Sequence, residues 1–139
     1  MPKTVLVIED QEQNLYLMKY MLEARGYCAV LAKDGKEGIT AARVEAPDLI
    51  LLDIQLPAMS GHDVARALQA DPELRSIPVV AVTSYAMPGD REAVVEAGCT
   101  GYIEKPIDPD TFIDEIEGYM IPRREASECT TRDGEGGGG

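Results

Sequence analysis

The feature that most constrains this chain is a fivefold alternation of short apolar runs with stretches of helical spacing. The runs occupy residues 4–8, 29–32, 48–52, 79–82 and 101–103. Each is too short for a helix and long enough for a strand. Residues 49–52 and 79–82 are apolar without alternation, which suits central strands of a parallel sheet buried on both faces. An α/β domain follows, its sheet covered by helices on both sides.

The intervening segments carry helix signals. Residues 11–25 place Leu15, Met18 and Leu22 on one face, and Gly26 supplies a left-handed carboxyl cap. A second helix spans 35–45 before Pro47. Ser60 is an N-cap for a third helix carrying Val64 and Leu68, ended by Asp71-Pro72. A fourth holds Ala93, Val94 and Ala97 ahead of Gly98. A fifth starts at Asp108-Pro109 with Phe112, Ile116 and Met120 inward. After Ile121 the chain turns to charged, Ser/Thr and finally Gly residues, so residues 1–121 read as one domain and 122–139 as a disordered tail.

Composition narrows the function. A length of 139 residues fits one core without disulfides. The cysteines, Cys28, Cys99 and Cys129, are odd in number and unpaired in spacing, which fits neither a disulfide framework nor a Cys-x-x-Cys metal site. No run is long enough to span a membrane and the amino terminus lacks a signal-peptide core, so a cytoplasmic protein is expected. A net charge of -12 repels nucleic acid and anionic lipid, which argues against both as partners.

Strand ends carry the chemistry. In a parallel sheet the residues just after each strand gather at one edge, where ligands of open α/β sheets bind. Here they are Glu9 and Asp10, then Asp53, then Thr83 and Ser84, then Lys105. Each alone reads more simply as a cap or a solvated loop residue. Together they form three carboxylates, a hydroxyl and an ammonium in one crevice. Such carboxylates repel unless a hard cation joins them, and Mg2+ suits oxygen ligands completed by water. A carboxylate beside that ion, flanked by an ammonium and a hydroxyl, is equipped to accept a phosphoryl group, and Asp53 is the central candidate.

Two other classes use similar sheets. A flavin- or nucleotide-binding protein would have a Gly- or Ser/Thr-rich loop after the first strand, where this chain has Glu9-Asp10-Gln11-Glu12. A phosphatase of the haloacid-dehalogenase type would carry a second aspartate two residues past the nucleophile, where Gln55 stands.

Glu9-Asp10, Asp53 within Leu51-Leu52-Asp53-Ile54-Gln55-Leu56-Pro57, Met59-Ser60-Gly61, Thr83 and Lys105-Pro106 together resemble the response-regulator receiver domain over about residues 3–121. Gln11-x-x-Asn14 and Ala86-Met87-Pro88-Gly89-Asp90 add a likeness to stand-alone DivK-like regulators of cell-cycle phosphorelays. The resemblance implies a CheY-like, flavodoxin-like sheet of order 2-1-3-4-5. It implies that Asp10, Asp53 and the Gln55 carbonyl bind Mg2+, with Glu9 acting through water.

The resemblance further implies that Asp53 takes phosphate from the phosphohistidine of a kinase or phosphotransfer protein. Thr83, Lys105 and the amides of Ile54 and Ser84 would hold the phosphoryl oxygens, and a cis Lys105-Pro106 bond would aim the lysine. Thr83 and Tyr102 match the switch pair. Signals would leave through protein contacts of a monomer or weak dimer, by the first helix or the face of the fourth helix, fifth strand and fifth helix. A receiver-like module that binds partners without phosphorylation is the remaining alternative.

Overall fold

The computed structural model describes residues 3–56, 58–83, 90–105 and 107–125. Its strands are β1 (Thr4–Ile8), β2 (Cys28–Ala32), β3 (Leu49–Asp53), β4 (Val79–Thr83) and β5 (Gly101–Glu104). Its helices are α1 (Glu12–Ala24), α2 (Gly35–Glu45), α3 (Gly61–Ala70), α4 (Asp90–Glu96) and α5 (Phe112–Glu125). The strands form one parallel sheet of order β2-β1-β3-β4-β5, as the resemblance implied.

Successive side chains of a strand point to opposite faces, so the apolar runs feed two separate cores. Val5, Val7, Leu49, Leu51, Val80 and Val82 face one side, against Leu15, Met18 and Leu22 of α1 and Phe112, Ile116 and Met120 of α5. Leu6, Ile8, Ile50, Leu52, Val79 and Ala81 face the other, against Ala42 of α2, Val64 and Leu68 of α3 and Val94 of α4. Buried on both faces, residues 49–52 of β3 and 79–82 of β4 had to be apolar, which explains their lack of alternation. Cys99 lies buried on the second side as a small apolar residue.

The caps follow the sequence in two places. Gly26 has φ +88, beyond the reach of most side chains, and lets the chain leave α1 for β2. Ser60 accepts from the Asp63 N–H at 3.2 Å and starts α3.

Two boundaries differ from the sequence reading. α5 begins at Phe112 rather than at Asp108, because Asp108 organises a turn instead. Its carboxylate accepts from the Asp110 N–H at 2.9 Å and its carbonyl from the Thr111 and Phe112 N–H groups at 3.1 and 2.8 Å. At its other end α5 continues to Glu125, four residues past Ile121. Of the tail expected over residues 122–139, residues 126–139 lie outside the described residues. Among the described residues no helix is long and apolar enough to cross a membrane.

Candidate functional site

The register of the sheet assembles the site. Ile8 of β1 pairs with Leu52 of β3, so the next residues, Glu9 and Asp53, stand side by side at the sheet edge. Asp53 pairs with Val82, one residue before Thr83, and Thr83 pairs with Glu104, one residue before Lys105. Backbone bonds fix the ends, from the Glu9 N–H to the Ala32 carbonyl at 3.0 Å and from the Lys105 N–H to the Thr83 carbonyl at 2.8 Å.

Three of these polar side chains are buried: Glu9 at 0%, Asp53 at 5% and Thr83 at 3% exposure. Buried polar groups among apolar strand ends cost stability unless partnered, so their partners matter. Asp53 Oδ1 accepts from the Gln55 N–H at 3.0 Å, while Oδ2 lies 3.7 Å from Lys105 Nζ. Lys105 makes its hydrogen bond elsewhere, to Glu9 Oε1 at 2.8 Å. The other Glu9 oxygen accepts from the Gln11 N–H at 3.2 Å.

Glu9, Asp10 and Asp53 each offer a carboxylate oxygen, all within 4.8 Å of one another, and Asp10 is the least buried of the three. Oxygen-only donors so close together fit a hard divalent cation and suit soft thiophilic metals poorly. Without a cation the Asp53 carboxyl is pushed up to about 7, first by burial and then by the adjacent Glu9 carboxylate, against the opposing pull of the Gln55 N–H and Lys105.

The structure brings Glu9, Asp10, Asp53 and Lys105 together and places Thr83 at the same sheet edge. Ile54 leads away from β3 with its N–H directed to the Val82 carbonyl at 3.3 Å. Tyr102 is half-buried on β5 and packs against the core shared with α2, α3 and α4. The Ser84 amide and the Lys105-Pro106 bond lie outside the described residues.

Sequence reasoning missed two features. One is the choice of Glu9 as the hydrogen-bond partner of Lys105. The other is Gly61: a Cβ there would lie 2.7 Å from the Asp53 carbonyl oxygen and 2.5 Å from Ile54 Cα. Its N–H also donates to the Ile54 carbonyl at 2.9 Å, so the start of α3 is clamped onto the strand end that carries Asp53. The signal was a glycine directly after a capping serine, which sequence alone reads as part of the cap.

Comparison with known proteins agrees with this geometry. The chain is 48% identical over 120 residues to the polar-differentiation response regulator DivK of Brucella anthropi, covering 86% of this chain and 98% of that one. A CheY-like receiver domain protein from Methanospirillum hungatei superposes with a TM-score of 0.85 at 26% identity, covering 91% of this chain and all of that one. The receiver domain of the histidine kinase PA1611 from Pseudomonas aeruginosa superposes at 0.80 with 29% identity, over 86% of this chain and 98% of that one; it was solved with magnesium coordinated in its active-site cleft. The model of the response regulator receiver domain matches residues 5–117, and this chain belongs to that family of two-component signalling domains.

Proposed function

We propose that this chain is a DivK-like single-domain regulator that accepts a phosphoryl group on Asp53 from a phosphohistidine and signals by changing its protein contacts. The observation that carries this reading is the convergence of Asp53, Glu9, Asp10 and Lys105 at one sheet edge. An Asp53 oxygen attacks phosphorus, the P–N bond to the imidazole breaks, and the carboxylate becomes an acyl phosphate.

Asp10, Asp53 and the Gln55 carbonyl are the residues that would hold Mg2+, with Glu9 contacting it through water. The ion supplies charge neutralisation at the phosphoryl oxygens. Asp53 must be ionised to attack, and its raised pKa shows that the bare site disfavours that form. Lys105 and the Thr83 hydroxyl then hold two phosphoryl oxygens, and the amides of Ile54 and Ser84 complete the cradle. Movement of Thr83 toward the phosphoryl group lets Tyr102 turn inward, which alters the face of α4, β5 and α5. That face or α1 docks the partner, and the compartment is the cytoplasm.

The test is intact-mass measurement after incubation with acetyl phosphate, with and without magnesium, beside Asp53→Asn. A magnesium-dependent gain of one phosphoryl group, absent in the variant, is the expected result. No gain, with beryllofluoride also failing to bind, would leave a phosphorylation-independent binding module.

A further inference from the structure

The two edges of the sheet are defended unequally. β5, at one edge, is 4 residues long and ends on the exposed Glu104, a charge that discourages pairing with a further strand. β2, at the other edge, reads Cys-Ala-Val-Leu-Ala over residues 28–32, with neither a charge nor a proline. Successive backbone groups of a strand point to alternate sides. The Cys28 N–H donates to the Lys3 carbonyl at 2.9 Å and the Ala32 carbonyl accepts from the Glu9 N–H at 3.0 Å, so Cys28, Val30 and Ala32 face β1. The N–H and C=O groups of Ala29 and Leu31 therefore point outward, where the sheet has no further strand.

A groove of about 650 Å³ runs along this edge between Leu31 and α2, lined also by Lys36, Ile39, Thr40, Val44 and Glu45. Val44 is 73% exposed. α2 lies over the β1–β2 pair, with Gly38 against Ile8 and with Ile39 and Val30 packed against the same core. Charge singles out the same place. Residues 28–45 carry Lys33, Lys36 and Arg43 against Asp34, Glu37 and Glu45, so this edge is neutral in a chain of net charge -12. The molecule as a whole repels a second copy, and this edge does not. Arg43 pairs with Asp71 at 3.1 Å and Glu37 accepts from the Lys33 N–H at 2.6 Å, while Lys36 and Glu45, at opposite ends of α2, make no ion pair among the described residues.

We propose that β2 is a self-association edge: a second copy of this chain adds its own β2 antiparallel to the first, about a two-fold axis at Val30. In that register Ala29 of each copy lies opposite Leu31 of the other, and their outward N–H and C=O groups satisfy one another reciprocally. Val30 meets its counterpart on the axis as a non-hydrogen-bonded pair, with Cα atoms about 4.5 Å apart. The two α2 helices then run antiparallel on one face, so Lys36 of each copy reaches the Glu45 end of the other and Val44 is covered. The occupant is a second copy rather than a foreign strand because the edge is its own complement. One strand supplies both donors and acceptors, and one helix supplies both the cation and the anion. The same axis sends the carboxyl ends of the two sheets in opposite directions, which leaves both Asp53 sites open.

The test is sedimentation velocity of the full chain over a range of concentrations, with circular dichroism to check the fold of each variant. The wild type should show a reversible monomer–dimer equilibrium that stops at the dimer, since each copy has a single β2 to offer. Ala29→Pro deletes an outward donor that the monomer's sheet does not use, and should raise the dimer dissociation constant about tenfold or more. Lys36→Glu should raise it severalfold, and adding Glu45→Lys to that variant should recover most of the loss. This charge pair decides the matter if the proline variant folds poorly. Val30→Cys, with Cys28→Ser and Cys129→Ser, should form a disulfide-linked dimer in oxidised glutathione.

A chain that stays monomeric at every concentration would overturn the proposal. A dimer that withstands both Ala29→Pro and Lys36→Glu would place association on another surface and overturn it equally, and a dimer that forms without the Val30→Cys cross-link would overturn the register. Asp53→Asn should leave the equilibrium unchanged, so failure of the phosphoryl-transfer reading and failure of this one are separately visible.

Discussion

β3 and β4 each contain two regions that are equally buried and physically opposite. Leu49 to Leu52 and Val79 to Val82 are at most 1% exposed, and the residues that end these strands, Asp53 and Thr83, are only 5% and 3% exposed. In the interior, burial removes apolar surface from water and stabilises the fold. At the carboxyl ends the same burial strips water from groups that need it, which raises the Asp53 pKa and destabilises the charged site. One residue of strand length separates the part of the sheet that holds the protein together from the part that gathers its buried polar groups.

The contrast breaks most severely in the interior. Leu51→Ala empties space in the core shared with α1 and α5 and should cost about 2–5 kcal/mol. A urea titration checks it, and the surviving native fraction should still accept a phosphoryl group from acetyl phosphate.

The opposite sign is expected at the strand end. Asp53→Asn removes one of the clustered negative charges, and at pH 8 without metal it should stabilise the protein by about 1–3 kcal/mol while abolishing phosphorylation. Magnesium should stabilise the wild type far more than the variant, by mass action on the native state.

The pH dependence sharpens the same point. The Asp53 carboxyl is raised from 3.8 to about 7 in the folded protein, so the native state holds this proton more tightly than the unfolded chain does. The stability it contributes is present at low pH and is lost as pH rises from about 4 to about 7. The advantage of Asp53→Asn over the wild type should therefore be full above about pH 7 and close toward pH 4, read from paired urea titrations at each pH.

The smallest effect lies just outside both regions. Ser60→Ala removes the cap of α3 and should cost about 1 kcal/mol, measured as a shift in thermal midpoint, with the extent of phosphorylation unchanged. A large loss of phosphorylation instead would mean that the start of α3 positions Asp53 more tightly than its cap alone requires.

Much of this was legible because it depends on local chemistry. Continuous apolar runs at 49–52 and 79–82 revealed central strands, and Gly26 and Ser60 revealed their caps. The carboxylates and the lysine could be assigned to one edge because a parallel sheet leaves them nowhere else to go. What stayed hidden depends on side-chain direction or on competition between local bonds. Helix propensity and Asp108's turn were both available at the start of α5, and the turn won through three hydrogen bonds that spacing does not display. Ala46 ends α2 with φ 48, a conformation that sequence assigns to glycine or asparagine. The partner of Lys105 was equally out of reach, since Glu9 and Asp53 lie side by side and only their exact reach separates them.

The bond between Glu9 and Lys105 joins the first strand to the turn after the last, across 96 residues. Closing so long a loop is entropically slow, and it cannot happen until the strands between have taken their places. No fragment ending before β5 holds the complete charged cluster, and a chain whose last strand has frayed away loses its lysine while most of its core survives. The completed cluster thus doubles as a certificate of finished folding, withheld from any truncated or half-assembled copy.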